Sequence, residues 1–301
     1  MPEWDPERVV DPDLARALIE ARVPELRGAR IERLAEGWDN VVYVVDGRWV
    51  FRFPQREIAV PGVRREIETL ERIGPHLPLP VPVPRWVGDP DERYPWPWFG
   101  TEHLPGVELA SSGLPDERRA TIGRELGRFL RALHGPMLRS RIGPTLPIDP
   151  MRRTDMAHRV RLTRERLARV VGAGLWEPTA AVDALLRDAR DLPPSPRVVV
   201  LHGDLHVRHV LVDGERPTGV IDWGDVCAGD PSADLSLAYG ALVGAAREAF
   251  LVAYGPVDGL TELRARVIAV FLAAALLEYA ADAGMAALGA EASDALARAV
   301  A

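Results

Sequence analysis

HGDLHVRHVLVD, residues 202–213, is the stretch on which the reading of this chain turns. Apolar residues precede it at 198–201 and end it at 210–212. A polar loop with three histidines, an arginine and Asp204 therefore lies between two strand-like segments. A further apolar run, 218–221, ends in a second carboxylate, Asp222, and Gly214-Glu215-Arg216-Pro217 supplies the turn that folds it back on 210–212. The two acids are expected at neighbouring strand ends, with His209 beside them. Such a set suits a site where one carboxylate takes a proton from a hydroxyl while the other, with the histidine, holds a divalent metal.

Composition narrows the classes. The chain has 301 residues, 47% of them hydrophobic, enough for a large core in two domains or one two-lobed body. A formal net charge of -7 disfavours a nucleic-acid surface and mildly favours a cationic ligand. The start, MPEWDPERVV, has no basic region followed by an apolar run. The longest apolar stretch, 267–277, stops at Glu278 and is too short to span a bilayer. A cytoplasmic protein with no membrane partner is expected. Cys227 is the only cysteine, which excludes an intrachain disulfide and a cysteine-based zinc cluster. Every basic residue is arginine, so a mechanism that needs a lysine must here use a guanidinium.

Outward from the loop, the period of the apolar residues changes twice. Residues 11–25 read as a helix. Residues 31–35, 41–45 and 48–53 are β-rich, with Asp46-Gly47 as a hairpin turn, and 64–73 are helical. The Pro-rich LPLPVPVP, 77–84, reads as an extended connector, and 98–104 as one more strand. Beyond Pro115 helices are expected over 117–134, 151–171 and 178–191, and again from 232 to the end, interrupted by the β-rich segment 198–222.

HGDLHVRHVLVD followed by GVIDWGDVCAGDPSADL resembles the catalytic segment of the aminoglycoside phosphotransferase and choline kinase family, with macrolide phosphotransferases closest in motif because of the histidine and RWVFRFP. The resemblance runs from about Ile31 to the C-terminus. It implies an α+β, bilobal, protein-kinase-like fold: a small β-rich N-lobe, 1–103, that binds nucleotide, and a larger helical C-lobe, 104–301, with embedded β-hairpins and an acceptor pocket. It implies a monomeric enzyme that moves a phosphoryl group from ATP or GTP, with Mg2+, to a hydroxyl of a small cationic molecule, most simply an antibiotic such as a macrolide or an aminoglycoside. A metabolic choline-like or sugar-like acceptor is the alternative.

The resemblance makes Asp204 the catalytic base and His209 and Asp222 the metal ligands. Arg52 takes the place of the usual phosphate-binding lysine, with Glu66 its partner. Gly37, Trp38, Asp39 and Asn40, with Glu36, lie where a phosphate-covering loop belongs, and Glu102 and Leu104 where connector backbone meets the purine. His206, Asp225, Glu278 and Asp282 are candidate substrate contacts, the last two four apart on one helical face of FLAAALLEYAADAGMAALGA, 271–290. His202, Asp230 and Asp234 are expected to brace the loop or cap a helix, Trp223 and Cys227 to pack in the core, and Arg208 to reach substrate or solvent. Two other readings compete. The string His202, Asp204, His206, His209 has the look of a metal-dependent hydrolase, and the missing lysine of an inactive nucleotide-binding module.

Overall fold

The computed structural model describes residues 6–37, 39–142 and 145–301. Its chain divides into two compact units. One comprises the residues up to Pro75 with Pro80–Leu104 and Trp223–Val226; the other comprises His76–Leu79, Pro105–Asp222 and Cys227–Ala301.

The first unit is a five-stranded antiparallel sheet with a helix on each face. Its strands are β1 (Ile31–Glu36), β2 (Asn40–Val45), β3 (Trp49–Pro54), β4 (Trp86–Gly88) and β5 (Trp98–Glu102), in the order β1-β2-β3-β5-β4. Strand periodicity sorts β3 cleanly. Phe51 and Phe53 are buried with Tyr43, Trp98 and the apolar side of α1 (Pro12–Arg22), whereas Arg52 points to the other face. Helix α1 starts where sequence chemistry asks it to: Asp11 accepts from Leu14 N at 2.8 Å and Pro12 opens the first turn. Helix α2 (Val60–Ile73) lays Val63 and Ile67 against Phe99 on the opposite face.

The second unit is mainly helical: α3 (Ala120–Leu133), α4 (Pro136–Ile142), α5 (Met156–Gly172), α6 (Ala180–Ala189), α7 (Ser232–Ala241), α8 (Gly244–Tyr254), α9 (Gly259–Ala283) and α10 (Ala286–Arg298). Helix α9 buries residues all round because α5, α6, α7 and α10 surround it. Asp258 caps its start through Leu260 N and Thr261 N, and Gly284, at φ +67°, ends it in the left-handed conformation. Helices α3 and α8 approach so closely at Gly123 and Gly127 that a Cβ at either would strike the carbonyls of Ala246 and Phe250. Among the described residues no helix is long and apolar enough to cross a membrane.

Two small sheets complete this unit: β7 (Val199–Leu201) with β10 (Cys227–Gly229), and β6 (Val107–Glu108) with β8 (Val210–Asp213) and β9 (Arg216–Val220). Here the structure departs from the sequence reading. The turn between β8 and β9 is two residues, Gly214 and Glu215, with Gly214 at φ +55°, so Arg216 and Pro217 already belong to the strand. The strands before Asp204 and before Asp222 lie in different sheets and are not neighbours. Strands β4, β6 and β10 and helix α4 were not expected from the sequence.

Candidate active site

Asp204 leaves β7 through a tight bend. Gly203 adopts φ +92°, which a side chain would strain, and the bend is tied down by the buried Asp234 in the first turn of α7. Asp234 Oδ2 accepts from His202 N at 2.8 Å and Oδ1 from Gly203 N at 3.0 Å. His134, at the end of α3, places Nε2 3.1 Å from the same carboxylate, and Tyr254 lies at its Nδ1. Burial disfavours the Asp234 carboxylate, yet its hydrogen bond to His134 and the surrounding donors win and hold it below the usual range.

Hydrogen bonds assign the tautomer of each loop histidine. His202 Nε2 lies 3.0 Å from the Ile221 carbonyl, which can only accept, so Nε2 carries the proton and Nδ1 accepts from Asp204 N at 3.3 Å. His206 Nδ1 accepts from Arg208 N at 3.3 Å, which leaves its Nε2–H, 3.6 Å from Asp204 Oδ2, to face the carboxylate. His209 is turned the other way. Its Nδ1 donates to the Asp204 carbonyl at 2.7 Å, and its Nε2 lies 3.4 Å from Asp222 Oδ2. The His206 and His209 rings lie 3.9 Å apart between centroids.

Asp222 reaches this position through Ile221, whose N–H donates to the His209 carbonyl at 3.0 Å while its carbonyl takes His202 Nε2. At Asp222 the backbone turns to φ +65°, a conformation that aspartate tolerates better than most residues but at a cost. An imidazole nitrogen and a carboxylate oxygen thus face each other. A cation relieves that arrangement, and a histidine whose second nitrogen is bound to a carbonyl is the usual form of a metal-ligating imidazole. His209 and Asp222 therefore fit a divalent ion, which when bound would neutralise phosphate charge.

Asp204, His206 and His209 also place one ligand atom each within 4.8 Å of one another. His206 does not suit such a cluster. Coordination through Nε2 would leave Nδ1–H against the Arg208 N–H. Burial alone would push the Asp204 carboxyl up, but His206 and then His209 hold it well below the ordinary carboxylate range. Burial, then the neighbouring His209, lowers the His206 imidazole. The loop thus holds an ionised carboxylate beside the neutral imidazole of His206 at neutral pH, the state needed to accept a proton from a hydroxyl.

In the first unit, Arg52 Nη1 lies 3.1 Å from Glu66 Oε2, and Glu66 Oε1 accepts from the backbone N of Trp223 at 3.2 Å. Arg65 Nη2 donates to the Gly224 carbonyl at 3.2 Å. Asp225 lies in this same segment. Gly37 N donates to the Asn40 carbonyl at 2.9 Å. Asp39 is held by Gln55 N at its carbonyl, 2.7 Å, and by Arg56 at its carboxylate, 3.0 Å. Trp38 lies outside the described residues. Glu102 ends β5 opposite Trp49, and Leu104 follows it.

Beside the loop, Leu205, His206, Leu237, Leu272 and Leu276 line a narrow apolar crevice. The expected acidic stripe on α9 is altered by its neighbours. Glu278 is bound by Arg169 Nε at 2.6 Å and approached by Arg166 Nε at 3.5 Å, while Asp282 is exposed. Arg159 and Arg166 each place a guanidinium over the Phe271 ring, at 4.2 and 4.6 Å from its centroid. Arg208 is held by Glu108 at 3.2 Å and covers Tyr279 at 5.1 Å.

Sequence reading missed His134, Glu108, Arg166 and Arg169. His134 ends a helix about a hundred residues from Asp234, and nothing local marks it. The arginines of α5 carried a faint signal, since their helix has five of them.

The fold resembles those of several solved structures. The GDP and kanamycin complex of APH(2")-IIia has a TM-score of 0.68 at 21% identity, over 95% of this chain and 97% of that one. Macrolide 2'-phosphotransferase MphH from Brachybacterium faecium has a TM-score of 0.56 at 27% identity, over 89% and 91%. Macrolide 2'-phosphotransferase type I has 0.57 at 23%, over 96% and 98%. A search of curated protein sequences gives no match. The first two share with this chain a mixed α+β fold, a sheet in the N-terminal region and helices in the C-terminal region. Residues 30–267, most of the chain, match the phosphotransferase enzyme family, and the chain belongs to that family as a kinase of small-molecule hydroxyl groups.

Proposed function

We propose that this enzyme transfers the terminal phosphoryl group of ATP or GTP to a hydroxyl of a macrolide-type antibiotic. Asp204 receives the hydroxyl proton. His209 and Asp222 hold the divalent metal, magnesium in the family's usual form, which supplies charge neutralisation at the phosphates. Arg52, kept in place by Glu66, grips phosphate in the absence of any lysine, Gly37, Asp39 and Asn40 belong to the phosphate-covering loop, and the backbone at Glu102 and Leu104 meets the purine.

The observation that carries the reading is the orientation of His209. One ring nitrogen is bound to the Asp204 backbone and the other is aimed at Asp222, which supports a proton acceptor with metal ligands beside it. A hydrolase built on the histidine string needs His206 as a ligand, and the Arg208 N–H opposes that.

For the acceptor, the pairing of Glu278 with Arg169 takes one carboxylate away from a polycation and so favours a macrolide over an aminoglycoside. His206 and Asp225 remain candidate acceptor contacts; Asp282 is the one acid of the α9 stripe without an arginine on it. The macrolide phosphotransferases named above add weight. A nucleotide-consumption screen of macrolides, aminoglycosides, choline and sugars, each with ATP and GTP, tests this. Turnover with macrolides is expected, and turnover confined to aminoglycosides or to small metabolites would overturn the acceptor assignment.

A further inference from the structure

Outside the catalytic loop, we infer that the groove between α3 and α8 is a docking site for an acidic amphipathic helix of a partner protein. Two glycines build the groove. A Cβ at Gly123 would meet the Ala246 carbonyl and one at Gly127 the Phe250 carbonyl, so the two helices run side by side in the same direction. The groove along them has a volume of about 900 Å3. Arg124, Arg128 and Arg131 line it from α3, whereas α8 offers alanines, Val252 and a single acid, Glu248.

Charge, spacing and apolar surface together point to the occupant. The chain carries a formal net charge of -7, yet this groove sets three guanidiniums against one carboxylate. All three arginines are exposed. Arg128 is bound to Glu125 at 2.9 Å, while among the described residues Arg124 and Arg131 have no carboxylate partner. An acidic partner is therefore attracted here. Positions 124, 128 and 131 share one helical face, and their steps of four and three residues cover about 10 Å of helix. Carboxylates at the same intervals on a helix lying alongside can meet each guanidinium. Val252, 77% exposed, and the alanines beside it then receive the apolar side of that helix. A second copy of this chain does not fit, since a two-fold contact on the groove would set arginines against arginines. A flat lipid surface does not enter a concave one.

Fluorescence anisotropy of the intact protein with a labelled, alanine-based helical peptide tests the assignment. The peptide carries glutamates at the same four- and three-residue intervals, with leucines on the adjoining face. It should bind at about 100 µM or tighter in low salt and more weakly as salt is raised. Replacing its glutamates by glutamine, or using the Arg124→Glu/Arg131→Glu protein, should weaken binding about tenfold. Lysines in place of the glutamates should recover binding to that variant. Val252→Glu, on the other wall, should also weaken the glutamate peptide. Circular dichroism melts of these variants should match the wild type; if a charge reversal lowers the melt, Arg124→Gln/Arg131→Gln gives the same comparison. Equal binding of the glutamate and glutamine peptides, or no saturable binding up to about 1 mM, would overturn the inference. So would arginine-dependent binding of phosphatidylglycerol vesicles or polyuridylate without binding of the peptide. Self-association in sedimentation that the double variant abolishes would assign the groove to a second copy instead and overturn it as well.

Discussion

Glu66 accepts a hydrogen bond from the backbone N–H of Trp223 at 3.2 Å while its other carboxylate oxygen holds Arg52 at 3.1 Å. One buried carboxylate therefore orients both the cation proposed to grip phosphate and the residue that directly follows Asp222. The side chain of Glu66 is 1% exposed and that of Arg52 17%, so the pair is shielded from solvent.

Arg52→Ala should lower kcat/KM for nucleotide strongly and, by leaving the Glu66 charge buried, destabilise the fold by about 3 kcal/mol. Arg52→Lys should restore part of the activity, because an ammonium lacks the guanidinium fork. Glu66→Ala should cost more activity than Arg52→Ala, since Trp223 is released as well, and Glu66→Gln should cost less than Glu66→Ala. The losses in the Arg52→Ala/Glu66→Ala double variant should be less than additive. Steady-state kinetics and denaturant melts check these outcomes; simple additivity would mean that the two side chains act separately.

Asp204 should remain ionised throughout the range in which the enzyme is assayed, because His206 and His209 lower its pKa against the effect of burial. No acid limb in kcat/KM from this residue is expected above about pH 4, its ordinary range. Carbon-13 NMR of labelled aspartate checks the assignment, and a titration of Asp204 above pH 5 would contradict it.

Stability should decline on acidification in two stages. His202 is kept neutral by burial and its folded pKa is lowered, so the unfolded chain binds the proton first and stability is lost as pH falls below about 6.5. Asp234 also has a lowered folded pKa, so its contribution is present above about pH 3.9 and is lost below it. Asp234→Ala should cost about 3–5 kcal/mol, since it strips partners from His134 and from two loop N–H groups. Thermal melts between pH 8 and pH 3 measure both stages. A melting temperature unchanged between pH 7 and pH 5 would count against the buried neutral His202.

Most of the loop chemistry was legible because it is contiguous: His202, Asp204, His206 and His209 fall within eight residues, and Asp222 ends the next apolar run. What could not be read depends on partners far along the chain. Strands β6 and β10 have two and three residues, too few for any period, and exist only because β8 and β7 lie beside them. The Pro-rich stretch hid β4, which forms on the free side of β5. Placing the strands that run into Asp204 and Asp222 side by side seemed natural because the sequence joins them through β8, yet the loop connects two different sheets. Glu278 looked like an acid available to substrate because the arginines that bind it lie on α5, more than a hundred residues earlier.

That pairing gives a prediction of its own. With the Arg169 side chain 56% exposed, the bridge to Glu278 should stabilise the protein by no more than about 1 kcal/mol. Glu278→Gln should change KM for a macrolide less than about twofold. A tenfold rise in KM with kcat unchanged would restore Glu278 as a substrate contact.

Phosphoryl transfer itself is tested most directly by incubating the protein with ATP or GTP, a divalent cation and a macrolide, then weighing the acceptor by mass spectrometry. The wild-type protein should add one phosphoryl group to the macrolide. Asp204→Asn, folded and still binding nucleotide, should lower the rate by about 10²-fold or more. An unmodified macrolide with the wild-type protein, or an undiminished rate in Asp204→Asn, would contradict the account.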